Sequence, residues 1–345
     1  MIFDGKRGMF DLGDNNLLRT LMTSKDPQYN ADSRNAFRSI LLQTLSKDLN
    51  RYISTIIVSD EMIRLDKDKA NLNGHTVIEW IDKHGIMVGI KVDKGSTYFD
   101  RGYINDSVVT EGIDGLRERI KEYKKKGIKL ATWKTIIYGT TISDFPRKFA
   151  VNANTTLCAR FVRICQEEGV IPLLDFDIFS LTSNDISKMQ LSVEDCLKIL
   201  FDDLYNYRTN LEHIILQLNI ISGGKHTSVD STEIIAKNCA SFGKVLPPAL
   251  PGIVFMSGGR TTTQFNSNLN SLSNVPELFP WALSFSLSEN LFSSALKLWF
   301  DKKPEENVKE VFLHRCGLSA LALLGEYPDK DEPIKLFGKK DTCPF

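Results

Sequence analysis

Leu130-Ala131-Thr132-Trp133-Lys134-Thr135-Ile136-Ile137, then a stripe at Leu157, Phe161 and Ile164, then Val170-Ile171-Pro172-Leu173-Leu174-Asp175-Phe176-Asp177-Ile178 is the stretch that decides the fold. Two short apolar runs flank a segment whose apolar residues recur every three or four positions, which reads as strand, crossover helix and parallel strand. The alternation continues in both directions. Strand-like runs cover 8–12, 53–58, 86–92, 130–137, 170–178, 213–219, 252–256 and 282–286. Helical stripes include Arg34-Phe37-Leu41-Leu45, Leu116-Ile120-Tyr123, Val193-Leu197-Leu200-Leu204, 234–239, Leu291-Ala295-Leu298 and Val308-Val311-Phe312-Arg315. Eight such units with right-handed crossovers close a barrel, so the expected fold class is α/β, a single (β/α)8 TIM barrel. No linker rich in Pro, Gly or Ser divides it. One domain is expected over 1–327, followed by a short irregular tail at 328–345.

Composition narrows the function. The 345 residues are 42% hydrophobic and 25% charged, which argues for a packed globular chain. Lys+Arg and Asp+Glu both number 43, so no global field favours nucleic acid or an anionic membrane. No apolar run reaches the length of a membrane span, and Met1-Ile2-Phe3-Asp4-Gly5-Lys6-Arg7 lacks a signal-peptide core, so a cytoplasmic protein is expected. The six cysteines stand singly. Cys158 and Cys165 share an apolar stripe with Phe161 and Val162 and are expected to be buried thiols. Sequons at Asn105 and Asn154 read as chance, the second inside an expected helix. His75, His84, His213, His226 and His314 form no metal-binding spacing, so no metal or other cofactor is expected. Ser222-Gly223-Gly224-Lys225-His226-Thr227 lacks Walker spacing and reads as an ordinary loop. Lys121 with Lys124-Lys125-Lys126 reads as a solvated helix end.

The barrel itself locates the chemistry. Reactive groups sit at the C-terminal ends of the strands, where residues two apart point the same way. That selects Lys91 with Asp93, Thr132 with Lys134, Asp175 with Asp177, and Gln217 with Asn219. Charges inside apolar strands are costly unless paired. Two lysines and three aspartates converging on one mouth neutralise one another, either as a structural ion-pair network or as a working polar pocket.

Four motifs add a resemblance. They are Val88-Gly89-Ile90-Lys91-Val92-Asp93-Lys94-Gly95, Gly112-Ile113-Asp114-Gly115-Leu116 with Tyr123-Lys124-Lys125, Met256-Ser257-Gly258-Gly259, and Pro280-Trp281-Ala282-Leu283-Ser284-Phe285-Ser286 with Ser294-Ala295-Leu296-Lys297. In order and spacing, from about Gly8 to Tyr327, the chain resembles the class I fructose-bisphosphate aldolases. The resemblance implies a barrel that cleaves fructose 1,6-bisphosphate into dihydroxyacetone phosphate and glyceraldehyde 3-phosphate through a lysine imine. It also implies homotetramers and binding to cytoskeletal proteins. Lys91, Asp93 and Trp133 match family positions, and Lys134 replaces an arginine with charge but no fork. Arg34, Ser257, Gly258 and Gly259, with Lys91, match the phosphate-binding set, the glycines offering backbone N–H groups.

The departures fall on the chemistry. The imine-forming lysine aligns with Gln217, whose amide is not a nucleophilic amine, and losing a covalent nucleophile costs on the order of 10⁶ in turnover. An assisting lysine aligns with Thr132, and the strand-1 carboxylate with Gly13, beside Asp14. Two glutamates on strand 5 become Asp175 and Asp177, each pulled back by about 1.5 Å, a misplacement that costs roughly a hundredfold. A phosphate-neutralising arginine aligns with Glu289, and the family's Tyr-Gly with Leu287-Ser288. A carboxylate at about 4 Å from phosphate is repulsive by up to about 4 kcal/mol. The family's N-terminal helical segment is missing, and its terminal tyrosine is replaced by Phe345. The expectation is an aldolase-fold protein without Schiff-base cleavage, kept as a binding or structural component, with at most weak sugar-phosphate binding. Two alternatives stand beside it: a lyase of altered specificity using a relocated lysine (Lys134, Lys91 or Lys225), and a sugar-phosphate sensor using Ser257, Gly258, Gly259, Arg34 and Lys91.

Overall fold

In a computed structural model the chain closes a barrel of eight parallel strands. These are β1 (Gly8–Asp11), β2 (Ile53–Val58), β3 (Met87–Lys91), β4 (Leu130–Gly139), β5 (Ile171–Ser180), β6 (Ile215–Asn219), β7 (Gly252–Met256) and β8 (Ala282–Leu287). Each strand pairs with its sequence neighbours, and β1 meets β8 through Met9 opposite Ser286 and Phe10 opposite Leu287. The residues described are 3–13, 15–26, 28–99, 107–139, 146–180, 185–222 and 229–328. Expectations for Asp14, Asn105, Lys225, His226, the 223–227 part of the loop after β6, and 329–345 with Phe345 lie outside them.

Alternation along the strands builds two cores. Met9, Ile57, Leu130, Leu173, Ile215 and Val254 point inward as a separate apolar plug. The intervening residues point outward against the helices. Phe10 meets Phe312 with ring centroids 4.9 Å apart, Trp133 stacks on Phe161 at 5.6 Å, and Phe242 on Phe255 at 6.0 Å. One step of two residues beyond the plug, the inward set turns polar: Asp11, Thr132, Asp175 and Gln217. The site is therefore a polar layer seated on a dry floor.

Each expected strand-like run overlaps a barrel strand, with ends that differ by no more than two residues and coincide for β2 and β7. The run at 213–219 starts late because Leu211–His213 forms a turn of 3₁₀ helix that delays pairing to Ile215. The expected stripes lie in helices Ala31–Gln43 (with Leu45 in the 3₁₀ turn Thr44–Lys47 that follows), Leu116–Lys125, Lys148–Glu168, Ile186–Asn206, Ser231–Val245, Glu289–Phe300 and Glu305–Leu324. Helices Asn15–Lys25, Val77–Lys83 and Thr262–Ser273 are additional, as is an antiparallel ribbon of Ser96–Tyr98 with Val108–Thr110. Cys158 and Cys165 are fully buried, and burial pushes the Cys158 thiol up to about 12. Asn154 is buried within its helix. It donates to Val108 O at 2.7 Å and Ala150 O at 2.9 Å and accepts from Thr110 N at 3.1 Å, fastening the ribbon to the barrel.

Candidate functional site

A cavity of about 730 Å³ opens at the C-terminal ends of β1, β4, β5, β6, β7 and β8. Among its lining residues are Lys134, Asp175, Asp177, Gln217, Ser257, Gly258, Gly259 and Glu289, all singled out by the sequence. β4 carries Lys134 between two carboxylates of β5: its ammonium lies 3.4 Å from Asp177 Oδ2 and 3.9 Å from Asp175 Oδ2. Asn219 Nδ2 donates to Asp177 Oδ1 at 2.8 Å and to Ile178 O at 2.7 Å, holding Asp177 in place.

Asp175 is different. It is almost fully enclosed, and its Oδ1 has no hydrogen-bond partner. Burial, the largest influence, pushes its carboxyl up to about 7; Asp177 and Asp11 push the same way, while Lys134 and Lys91 oppose. Beside it in register, Gln217 is 5% exposed. Its Nε2 reaches only the Met256 sulfur at 3.8 Å, and its Oε1 has no partner.

The glycine loop after β7 is built for backbone presentation. Gly258 and Gly259 take φ of +56° and +77°, and a Cβ on Gly258 would come within 3.0 Å of Asn219 Cγ. The chain then enters helix Thr262–Ser273, where Thr261 Oγ1 accepts from Gln264 N at 3.2 Å in a capping box. Asn290 Nδ2 donates to Arg260 O at 2.9 Å and ties this loop to the end of β8.

Other expected residues stand back from the cavity. Thr132 is buried one residue pair below the mouth. Lys91 pairs with Asp93 at 3.1 Å, and Asp93 accepts from Lys134 N at 3.0 Å and Gly95 N at 3.1 Å, joining β3 to β4. Arg34 is 3.3 Å from both oxygens of Glu61, which also lies 3.5 Å from the buried Arg38. Gly13 has no room for a side chain, since a Cβ there would meet Val58 O at 2.8 Å.

Two charged lining residues were missed. Asp11 places a carboxylate one inward step before Gly13, and its Oδ1 accepts from Gly13 N at 2.9 Å. The period of two along Met9, Asp11 and Gly13 was signal enough to find it. Arg260 adds a cation directly after the glycine pair, and burial holds its guanidinium below its usual value. Among the described residues, four carboxylates (Asp11, Asp175, Asp177 and Glu289) thus line the mouth with two cations, Lys134 and Arg260. Among the described residues no three His, Cys, Asp or Glu side chains are grouped to hold a metal, and no helix is long and apolar enough to cross a membrane.

Comparison with known proteins agrees with the barrel. A family model described as fructose-bisphosphate aldolase class-I matches residues 17–340. A probable fructose-bisphosphate aldolase class 1 of Xylella fastidiosa is 34% identical over 302 residues, 86% of each chain. Fructose-bisphosphate aldolase C of Carassius auratus is 31% identical over 299 residues, covering 86% of this chain and 80% of that one. Among solved structures, fructose-bisphosphate aldolase of Plasmodium falciparum, in complex with TRAP and a small-molecule inhibitor, superposes with a TM-score of 0.87 at 27% identity, over 95% of this chain and 93% of its own. With a match spanning most of its length, the chain belongs to the class I fructose-bisphosphate aldolase family.

Proposed function

We propose that this member of the family does not cleave hexose bisphosphate through an imine, and acts as a non-catalytic binding or structural protein of the cytoplasm. The observation that carries the reading is Gln217, a buried carboxamide at the β6 position where the resemblance calls for the imine-forming lysine. An amide nitrogen has its lone pair delocalised into the carbonyl and does not condense with a ketone. Thr132, Gly13 and Glu289 remove three further parts of the same machinery. Assembly as a homotetramer and association with a cytoskeletal partner follow from the family resemblance alone.

The test is a cleavage assay on fructose 1,6-bisphosphate, run on the wild type and on Gln217→Lys combined with Glu289→Arg. The wild type should turn over at least about 10⁴-fold more slowly than a lysine-bearing relative, and the double variant should recover part of that loss. Ordinary turnover by the wild type would contradict the proposal.

One observation favours a second reading, a lyase of altered specificity. Lys134 lines the cavity with its ammonium 3.9 Å from Asp175, a carboxylate pushed up to about 7 and so poised for proton transfer near neutral pH. A covalent adduct on Lys134 after reduction in the presence of dihydroxyacetone phosphate would favour this reading over the first.

A further inference from the structure

We infer that the barrel mouth is a receptor for a hydroxylated primary amine, an amino-polyol of hexose size, and disfavours bisphosphates. The charge of the lining is the first ground: among the described residues, Asp11, Asp175, Asp177 and Glu289 line the cavity with Lys134 and Arg260, four carboxylates against two cations. A ligand with two phosphates adds charge of the sign already in excess, whereas an ammonium compensates it.

An acidic lining alone would not specify a ligand. The second ground is a set of buried acceptors. Asp175 and Gln217 are each 5% exposed, and Asp175 Oδ1 and Gln217 Oε1 have no hydrogen-bond partner. They project from register partners on β5 and β6, so the two oxygens belong to one spot on the cavity wall. On β8, Ser286, 3% exposed, also has an unpartnered Oγ. An ionised carboxylate and an amide oxygen offer only lone pairs, so above about pH 7 whatever completes them must donate. An ammonium brings three donors and a charge to the same place. Hydroxyls along the ligand suit Ser286, which both donates and accepts, and the cavity volume is that of an ordinary small-molecule site.

Binding should also depend on pH. The groups whose charge acts on Asp175 are Lys134, Asp177, Lys91 and Asp11, with neutral Gln217 on the remaining side. An arriving ammonium favours the ionised Asp175, so affinity rises as pH rises through about 7. The inference stands on these charges and acceptors and is independent of whether aldol cleavage is lost.

Calorimetry on the full chain, titrated with 1-amino-1-deoxysorbitol, sorbitol and a hexitol 1,6-bisphosphate, tests it. The amine should bind at least about tenfold tighter than sorbitol, and the bisphosphate more weakly than the amine. Asp175→Asn should shrink the amine's advantage by about fivefold or more. Gln217→Lys, which supplies an internal ammonium, should abolish that advantage, and serves if Asp175→Asn does not fold. Equal affinities for amine and sorbitol, tighter binding of the bisphosphate, no saturable binding of the amine, or an undiminished advantage in both variants would overturn the inference. Failure here without any imine adduct leaves the proposed function standing, and an imine adduct with intact amine preference does the reverse.

Discussion

Asp175 and Gln217 are register partners on the adjacent parallel strands β5 and β6, and each holds a buried oxygen without a hydrogen-bond partner at the barrel mouth. With Asp175 ionised, these two acceptors cannot satisfy one another, whereas a lysine at position 217 would offer a donor and a charge. On the proposed reading, Gln217 in place of a lysine removes a nucleophile and also leaves one oxygen of its neighbour, Asp175 Oδ1, without a hydrogen-bond partner. Asp175 responds as a buried carboxyl does, by holding its proton to about pH 7.

That proton has a stability signature. The folded value, about 7, exceeds the unfolded value of about 3.9, so the native state binds the extra proton between them. Stability therefore falls as pH rises from about 4 to about 7 and levels off above. Asp175→Asn keeps the shape without the charge. By urea unfolding it should match the wild type near pH 4 and exceed it by up to about 4 kcal/mol at pH 8. A difference that does not change with pH would refute the assignment.

Glu61 is the carboxylate that Arg34 and Arg38 share, with Arg38 almost fully buried. Glu61→Gln keeps the volume but leaves two guanidinium groups facing each other. We expect a loss of about 1–3 kcal/mol by denaturant titration. Arg34→Ala should cost less than Glu61→Gln, because it leaves the deeper Arg38 with its partner.

Asn154→Ala removes three hydrogen bonds at the junction of the ribbon and helix Lys148–Glu168, two of them to ribbon backbone. The expected cost is about 2–3 kcal/mol, with hydrogen exchange rising first at Thr110. Its burial also explains why the sequon at this position offers no acceptor for a glycan.

Much of this was legible from residue order alone. Apolar runs such as Leu130 to Ile137 and Val170 to Ile178 alternate with helical stripes, which a parallel sheet covered by helices buries, and eight such units close it into a barrel. The inward positions of Lys134, Asp175, Asp177 and Gln217 followed from the period of two. Asp11 obeyed the same period, but alignment with the family drew attention to Gly13 instead. Arg34 was read by resemblance as a phosphate ligand. Its pairing with Glu61 is a contact across 27 positions that local pattern does not reveal. The ribbon strands are three residues each, too short for periodicity to register.

The most direct measurement is borohydride reduction of the wild-type protein with dihydroxyacetone phosphate, followed by peptide mass spectrometry. With a carboxamide where the ketone should meet an amine, no lysine of the chain should gain the reduced triose phosphate. A stoichiometric adduct on any lysine of the barrel mouth would contradict the account.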